Sequence, residues 1–337
     1  MTIATRTVTE DEADIRLDRW FRRHVPGTTQ GVIAKLCRTG QVRVDGHRAE
    51  PATRLAPGQS VRIPPLPAPP PKSAAAAPAS PPDERVLRAL EAMVLWRDDQ
   101  LIVLDKPSGL ATQGGPGIFR HLDGMLEAWR TDGQKPRLVH RLDRDTSGVI
   151  VIARTPGVAA KLAAAFRGRD MEKLYWAVVA GRPVPVEGRI DLKLVRAEDF
   201  RVGRVEVAGP DTEDAARAVT DYRTLDHAAR KLAWLELRPL TGRTHQLRVH
   251  CAAIGAPILG DVAYGARRGP ADPERAGENT ALVVGLDQRL HLHARRLVLP
   301  HPAGGTLAVE APLPPHMQAT FRTLGFTVSP PRPPQRG

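Results

Sequence analysis

The segment between Pro64 and Pro82 constrains the fold of this chain more than any other feature. Its sequence is PPLPAPPPKSAAAAPASPP, in which nine of nineteen residues are proline. Proline fixes φ and removes a backbone donor, so such a segment cannot build a packed core and instead forms an extended, semi-rigid spacer. The chain of 337 residues is therefore predicted to fold as two domains on either side of a linker.

This linker sets the predicted domain organisation. The prediction comprises a disordered N-terminus at 1–13, a small domain at 14–63, a linker at 64–84, a larger domain at 85–325 and a disordered, proline-rich tail at 326–337. A larger domain of this length can bury a core of its own.

The small domain carries half of the chain's positive charge. The segments IRLDRWFRRHV and QGVIAKLCRTG have the apolar spacing of two helices, and Asp45-Gly46 predicts a hairpin turn. Nine arginines and one lysine stand against four acidic residues in 14–63, a net charge of +6 against +12 for the whole chain. Since arginine pairs well with phosphate, this imbalance favours a polyanion partner. A solvated basic surface without a partner is the alternative.

The larger domain mixes strands and helices without a regular βαβ rhythm. MVLWR and LIVLDK predict a hairpin, GVIVIAR and KLYWAVVAG predict strands, and PGVAAKLAAAFRG predicts a helix. The fold class is therefore predicted to be α+β with a largely antiparallel or mixed sheet. The charged segment at 196–217 is expected to form a loop or hairpin.

Composition excludes several classes of protein. No run of 18 apolar residues is present, so no membrane span is expected, and the N-terminus lacks the apolar stretch of a secretory signal. The two cysteines, Cys37 and Cys251, are far apart and suit the reducing cytoplasm. His291 and His293 alternate along an apolar strand, for which a structural role is favoured over metal binding. We expect a cytoplasmic monomer.

The segment HRLDRDTSG, at 140–148, crowds charged residues directly before an apolar run. Taken alone, Asp143 is most simply a turn residue that precedes a buried strand. The segments KLYWA at 173–177, GRTHQLRVH at 242–250 and PILGDVAYG at 257–265 accompany it. Together, these motifs resemble the RluA family of pseudouridine synthases, and especially its RluC-like members, which carry a small N-terminal RNA-binding domain of the S-four ribosomal-protein type.

The resemblance implies isomerisation of uridine to pseudouridine in RNA without a cofactor. It also implies a catalytic domain built around a long bent sheet. Asp143 would be the catalytic carboxylate and Arg141 would help displace the target nucleotide. Tyr175 would line the base pocket, and Arg248 would pair with Asp143. These residue types suit the chemistry. An ionised carboxylate must act on the sugar, and a nearby guanidinium favours the ionised form of that carboxylate.

The expected substrate is ribosomal RNA of the large subunit, with transfer RNA as the alternative. The candidate RNA-binding residues are Arg243, Lys106, Arg16, Arg19, Arg22, Arg23, Lys35, Arg38 and Arg43.

Two other functions compete with this one. A non-catalytic RNA-binding or ribosome-assembly protein would need only the basic small domain. A glycosidase would need a second carboxylate at a suitable distance, and Asp145 follows Asp143 by only two residues.

Overall fold

The computed structural model describes residues 4–25, 28, 30–65, 83–115, 117–131, 133–168, 170–197, 204–209, 212–228, 231–265 and 285–337. The chain divides into two compact units, Met1–Pro81 and Pro82–Gly337. This division falls within the predicted linker, of which residues 66–82 lie outside the described residues.

The N-terminal unit packs two short helices beside a small antiparallel sheet. Its elements are β1 (Ala4–Thr7), α1 (Leu17–His24), α2 (Gln30–Arg38), β2 (Arg43–Val44), β3 (His47–Arg48) and β4 (Ser60–Ile63), with the strand order β1-β4-β2-β3. Leu17, Trp20, Phe21 and Ile33 are fully buried in its core. The two helices and the hairpin expected from the sequence are therefore present.

The prediction that residues 1–13 are disordered is wrong for residues 4–13. Strand β1 pairs with β4 in antiparallel register, and Val8 is buried in the core. Buried Glu12 accepts hydrogen bonds from the indole Nε1 of Trp20 at 2.7 Å and the backbone N–H of Thr9 at 3.3 Å. All four side chains of β1 are exposed, so the strand is held by backbone pairing and has no apolar alternation to reveal it.

The second unit is an α+β domain, as predicted. Its helices are α3 (Glu84–Glu91), α4 (Leu122–Met125), α5 (Pro156–Arg167), α6 (Gln246–Ala253) and α7 (Pro315–Leu324). Its strands are β5 (Val94–Arg97), β6 (Leu101–Lys106), β7 (Arg137–Leu138), β8 (Ser147–Ala153), β9 (Glu172–Ala180), β10 (Glu187–Arg196), β11 (Val205–Val207), β12 (Ala216–Ala228), β13 (Leu232–Pro239), β14 (Leu292–Pro300), β15 (Thr306–Glu310) and β16 (Gln335–Arg336). Within the described part of the chain, no helix has both the length and the apolar character needed to span a bilayer.

A long mixed sheet organises this unit. The strand order is β11-β10-β12-β13-β9-β14-β8-β6-β5, with β15 and β7 pairing beside β14 and β8. Strands β14 and β8 are parallel and join over two residue pairs, His293 with Ser147 and Ala294 with Gly148. Gly148 has φ of 107°, and an added Cβ would lie 2.2 Å from the carbonyl oxygen of Ala294. Glycine is therefore required at this join.

The segment at 196–217 contributes to a hairpin. Residues 194–196 of β10 pair in antiparallel register with β11. The parts of this segment at 198–203 and 210–211 lie outside the described residues.

The prediction of a disordered tail at 326–337 is also wrong. Gly325 ends α7 in the left-handed conformation, and the N–H of Phe326 donates to the carbonyl of Phe321 at 2.9 Å. Phe326 is consequently buried against Trp234. Strand β16 pairs with β15. A helix cap followed by an apolar residue that packs back on the helix explains why the chain remains ordered here.

Candidate active site

Five residues predicted from the sequence line one pocket of about 290 Å³. Arg141 and Asp143 lie in the loop before β8, and Tyr175 lies on β9. Arg243 precedes α6 and Arg248 lies within it. The fold thus brings together residues that are up to 107 positions apart in the sequence, since Arg141 and Arg248 line the same cavity.

Asp143 combines a backbone role with a carboxylate that is partly buried in the pocket. Its carbonyl oxygen accepts the N–H of Thr146 at 3.2 Å, as expected for a turn. Its side chain, 19% exposed, faces two basic groups: His245 Nε2 lies 3.8 Å from Oδ1 and Arg248 Nη1 lies 3.8 Å from Oδ2. The turn interpretation therefore describes only the backbone, and the carboxylate is directed into the pocket.

The prediction that Lys106 contacts RNA is wrong. Its side chain is fully buried, and Nζ donates to the carbonyl oxygens of Pro107 at 3.0 Å, Leu110 at 2.7 Å and Arg144 at 2.9 Å. Burial lowers the pKa of Lys106 to about 8, although nearby carboxylates oppose this effect. A fully buried group with three backbone acceptors cannot reach a phosphate, so Lys106 holds the loop that carries Asp143.

Two hydroxyl groups support the same loop. Thr112 Oγ1 donates to the carbonyl of Leu142 at 2.6 Å, and Ser108 Oγ donates to the carbonyl of Asp145 at 2.8 Å. With Lys106, these bonds fix the backbone on both sides of Asp143. Such support from surrounding residues is what a preorganised reactive group requires.

Arg248 has a stronger partner than the one predicted from the sequence. Its Nε and Nη2 each donate to a different oxygen of Asp261, both at 2.7 Å, in a buried bidentate pair. Asp261 also accepts the backbone N–H groups of Ala263 and Tyr264, each at 3.0 Å. Burial opposes the charged form of Arg248, but the hydrogen bonds with Asp261 outweigh it and raise the pKa of the guanidinium. Asp261 therefore fixes Arg248 while Nη1 is left to face Asp143.

Tyr175 supplies an aromatic wall. It pairs across the sheet with Leu237 and Ala294 and packs against the apolar residues on both sides of the pocket. Burial, followed by the charge of Asp143, raises the pKa of the phenol. The group is therefore neutral at physiological pH, and its ring can stack on a flat base.

Gln246 holds the turn that precedes α6, a role that the sequence analysis missed. Its Oε1 accepts hydrogen bonds from Thr241 Oγ1 at 2.7 Å and from the backbone of Arg243 at 3.0 Å. Its Nε2 donates to Val219 O and Thr220 Oγ1, both at 2.9 Å. All four hydrogen-bonding positions of this buried amide are used. Its place as the first residue of α6, directly after the turn at 241–245, was the available signal.

His291 and His293 are buried and structural. His291 bonds to the carbonyl of Arg289 and to Thr320 Oγ1, both at 2.8 Å, and His293 bonds to Ser147 Oγ at 2.9 Å. Burial lowers the pKa of His291 to about 4. Among the described residues, no group of three or more His, Cys, Asp or Glu residues is arranged to hold a metal ion.

The basic residues of the N-terminal unit fall into two groups. Arg19, Lys35 and Arg38 on α1 and α2 have exposed side chains. The others have protein partners: Arg16 bonds to Asp18, Arg22 to Gln30 and to the carbonyl of Asp18, Arg43 to the carbonyls of Gly40 and Gly46, and Arg23 lies 3.6 Å from Glu12. Arg22 and Arg23 are exposed although they have these partners, so five of the seven predicted cations of this unit reach solvent and Arg16 and Arg43 are half-buried.

Comparison with known proteins identifies the family. Residues 100–253 match the family of RNA pseudouridylate synthases. The ribosomal large subunit pseudouridine synthase C of Vibrio cholerae is 32% identical over 320 residues, which cover 94% of this chain and 95% of that protein. The chain belongs to the RNA pseudouridylate synthase family. It contains an RluA-type synthase domain and is an enzyme that isomerises uridine in RNA.

Two further pseudouridine synthases support this assignment. The Escherichia coli protein named ribosomal large subunit pseudouridine synthase C is 34% identical over 323 residues and covers 94% of this chain. The structure of human RNA pseudouridylate synthase domain containing 4 is 30% identical, with a TM-score of 0.59, and covers 72% of this chain and 96% of its own. The similarity thus extends to both sequence and fold.

Proposed function

We propose that Asp143 is the catalytic carboxylate of this pseudouridine synthase and that large-subunit ribosomal RNA is its substrate. The observation that carries the first part is the setting of the carboxylate, which opens into the pocket with a basic side chain 3.8 Å from each oxygen. The second part is supported by the names of the relatives from Vibrio cholerae and Escherichia coli.

The reaction requires a group that acts on the sugar. The C1′–N1 bond breaks, the uracil turns, and a C1′–C5 bond forms, after which C5 loses a proton and N1 gains one. An ionised Asp143 either attacks C1′ or removes a proton from C2′ to leave a glycal. Arg248, held by Asp261, favours the charged carboxylate that both routes need.

The base needs a pocket that retains it while it turns. The ring of Tyr175 lines the cavity and provides a surface for stacking on uracil. The target must first leave its stack, at a cost of about a few kcal/mol. Arg141 is exposed beside Asp143, and we assign it to displacing or replacing the target nucleotide. Arg243, exposed at the same pocket, is assigned to a phosphate.

The N-terminal unit is proposed to be an RNA-binding domain of the S-four type. The side chains of Lys35 and Arg38 are exposed on one helix, α2, and that of Arg19 is exposed on α1, which suits contact with backbone phosphates. The proposed setting is the cytoplasm, where the two buried free cysteines remain reduced, and the proposed active form is a monomer. Transfer RNA is the alternative substrate.

The test of Asp143 uses a neighbour as its control. Asp143→Asn should abolish tritium release from RNA labelled at C5 of uridine, while RNA affinity stays within about threefold of wild type. Asp145→Asn alters a carboxylate of the same loop that pairs with Arg144 at the surface and should retain activity. Substantial release by Asp143→Asn would refute the assignment.

The test of the substrate compares RNA from cells with and without this protein. Pseudouridines should disappear from large-subunit ribosomal RNA in cells that lack it, and return with wild type but not with Asp143→Asn. Loss confined to transfer RNA would overturn the ribosomal assignment and leave the role of Asp143 intact.

A further inference from the structure

Tyr264 contacts both basic side chains that face Asp143. Its hydroxyl lies 2.9 Å from Nδ1 of His245, and its ring lies 5.0 Å from the guanidinium carbon of Arg248. It stands at the end of the turn in which Asp261 accepts backbone N–H groups. One residue outside the sequence-predicted site therefore borders both donors of the proposed catalytic carboxylate.

The hydrogen bonds of Tyr264 favour one tautomer of His245. The backbone N–H of Val205 donates to the Tyr264 hydroxyl oxygen at 2.9 Å. The single hydroxyl hydrogen is then free to donate to Nδ1 of His245, and this arrangement favours Nδ1 as the acceptor. In a neutral imidazole whose Nδ1 is the acceptor, the hydrogen is on Nε2.

Nε2 of His245 faces Asp143. Nε2 lies 3.8 Å from Oδ1, longer than a direct hydrogen bond but able to shorten when substrate fills the pocket. Burial lowers the pKa of His245, against the raising effect of Asp143, and Arg248 and Arg141 lower it further. These surroundings favour the neutral imidazole that the hydrogen-bond pattern requires.

The backbone of His245 supports a functional role. His245 has φ of 53°, in the left-handed region, and immediately precedes α6. Such conformations are uncommon outside glycine and concentrate where a side chain must be aimed. Here the conformation directs the imidazole toward Tyr264 on one edge and Asp143 on the other.

We propose that His245 is a positioning residue that donates from Nε2 to Asp143, and that Tyr264 selects the tautomer able to do so. The inference rests on the proposed catalytic role of Asp143. Arg248 would hold one carboxylate oxygen and His245 the other, so the carboxylate cannot rotate while the C1′–N1 bond breaks.

The β10–β11 hairpin is part of this arrangement. Val205 belongs to β11, and the neighbouring Arg204 lies 5.3 Å from the Tyr264 ring and donates to the carbonyl of Ala263. The hairpin thus holds Tyr264 in place through Val205 and Arg204. The tautomer of His245 therefore depends on this contact as well.

The test separates a hydrogen-bond donor from a residue that merely suits the backbone. The amide nitrogen of glutamine occupies the place of Nε2, whereas that of asparagine occupies the place of Nδ1. Asparagine tolerates the left-handed conformation better than glutamine does. Single-turnover rates at saturating RNA should therefore be about 10- to 100-fold higher for His245→Gln than for His245→Asn, the range expected for a hydrogen bond to a charged group.

Equal rates, or a faster His245→Asn enzyme, would overturn the donor role. RNA affinity is measured for each variant and should stay near that of wild type. Asp143→Asn is measured beside them, so an active Asp143→Asn enzyme would identify failure of the proposed function instead.

Tyr264→Phe keeps the ring and removes the hydroxyl, which tests the tautomer without changing His245. Nitrogen-15 spectra of histidine-labelled protein should show Nε2–H imidazole for His245 in wild type and a mixture of tautomers in Tyr264→Phe. The single-turnover rate of Tyr264→Phe should fall about threefold to tenfold, which is less than the effect of losing the hydrogen bond from His245 to Asp143. A wild-type spectrum with Nδ1–H imidazole would overturn the proposal even if His245→Gln failed to fold.

Discussion

In the N-terminal unit, two buried carboxylates are held by the side chains around them, whereas in the second unit two buried cations support the partly exposed carboxylate of Asp143 and its loop. Glu12 and Asp18 lie inside the first unit with side-chain partners nearby. Lys106 and Arg248 are buried in the second, one behind the Asp143 loop and the other facing its carboxylate. The stability contributed by a buried charge depends on its partner. Each exposed cation, in contrast, adds its own contribution to the affinity for a polyanion.

The buried pair beside the pocket gives the largest expected effect. Asp261→Asn replaces one of the two oxygens that accept from Arg248 with an NH2 group and removes the negative charge of the buried bidentate pair. The free energy of unfolding should fall by about 3 to 5 kcal/mol, measured by urea denaturation. Asp221→Asn is the control, since its pair with Arg189 is at the surface, and its denaturation midpoint should hardly move. Similar losses in both variants would remove the distinction.

The stability that Lys106 contributes should depend on pH, because its side chain is buried. Burial lowers its pKa to about 8, against about 10.4 in the unfolded chain. At pH values between these two pKa values, the unfolded chain binds more protons than the folded chain, so the stability contributed by Lys106 rises with pH. The difference in unfolding free energy between wild type and Lys106→Met should therefore favour wild type by about 2 kcal/mol more at pH 9.5 than at pH 7.5.

The control for this prediction is an exposed lysine of α2. Wild type and Lys35→Met should differ by the same amount at both pH values, because the side chain of Lys35 is exposed. A pH-independent difference for Lys106→Met would mean that its charge state does not change across this interval.

Removal of the whole N-terminal unit should affect affinity more than chemistry. A chain that begins at Asp83 keeps the residues of the pocket and loses residues 14–63 with their net charge of +6. RNA affinity should fall by at least about tenfold, and log affinity should depend less steeply on log salt. The single-turnover rate at saturating RNA should stay within about threefold. Unchanged affinity and salt slope would exclude an RNA-binding role for this unit.

One exposed cation should have the smallest effect. Arg38→Ala removes an exposed side chain of α2 and should lower the salt slope by about 0.7 to 0.9, the value of one phosphate contact, without a change in melting temperature. Arg43→Ala is the matched comparison, because Arg43 donates to the carbonyls of Gly40 and Gly46, and it should lower the melting temperature. The opposite pattern would show that the two arginines have been assigned the wrong roles.

The sequence was sufficient to predict the residues that motifs mark directly. Asp143, Tyr175 and Arg248 lie in short segments with distinctive neighbours, and all three line the pocket. The strands around them follow from long apolar runs such as residues 149–152, all of which are buried. In these places local pattern and tertiary structure agree.

Other parts of the site depend on contacts that no local pattern encodes. Asp261 follows Arg248 by thirteen residues and a chain reversal, so its spacing does not indicate a bidentate pair. Lys106 is the last residue of an apolar strand and precedes a turn, so its sequence position did not indicate whether the side chain points inward, as it does. His245 and Tyr264 lie inside recognised motifs, but their hydrogen bond appears only when α6 and the following turn are folded together.

The two-residue join between β8 and β14 divides the pocket. Asp143 and Arg141 enter from the β8 side, whereas Tyr175, His245 and Arg248 enter from the other side. The relative alignment of these groups therefore depends on Ser147 and Gly148, both of which are buried. In a library of variants selected for activity, position 148 should remain glycine as strictly as position 143 remains aspartate. The cause at position 148 is the steric clash that a Cβ would make, and the cause at position 143 is the proposed chemistry.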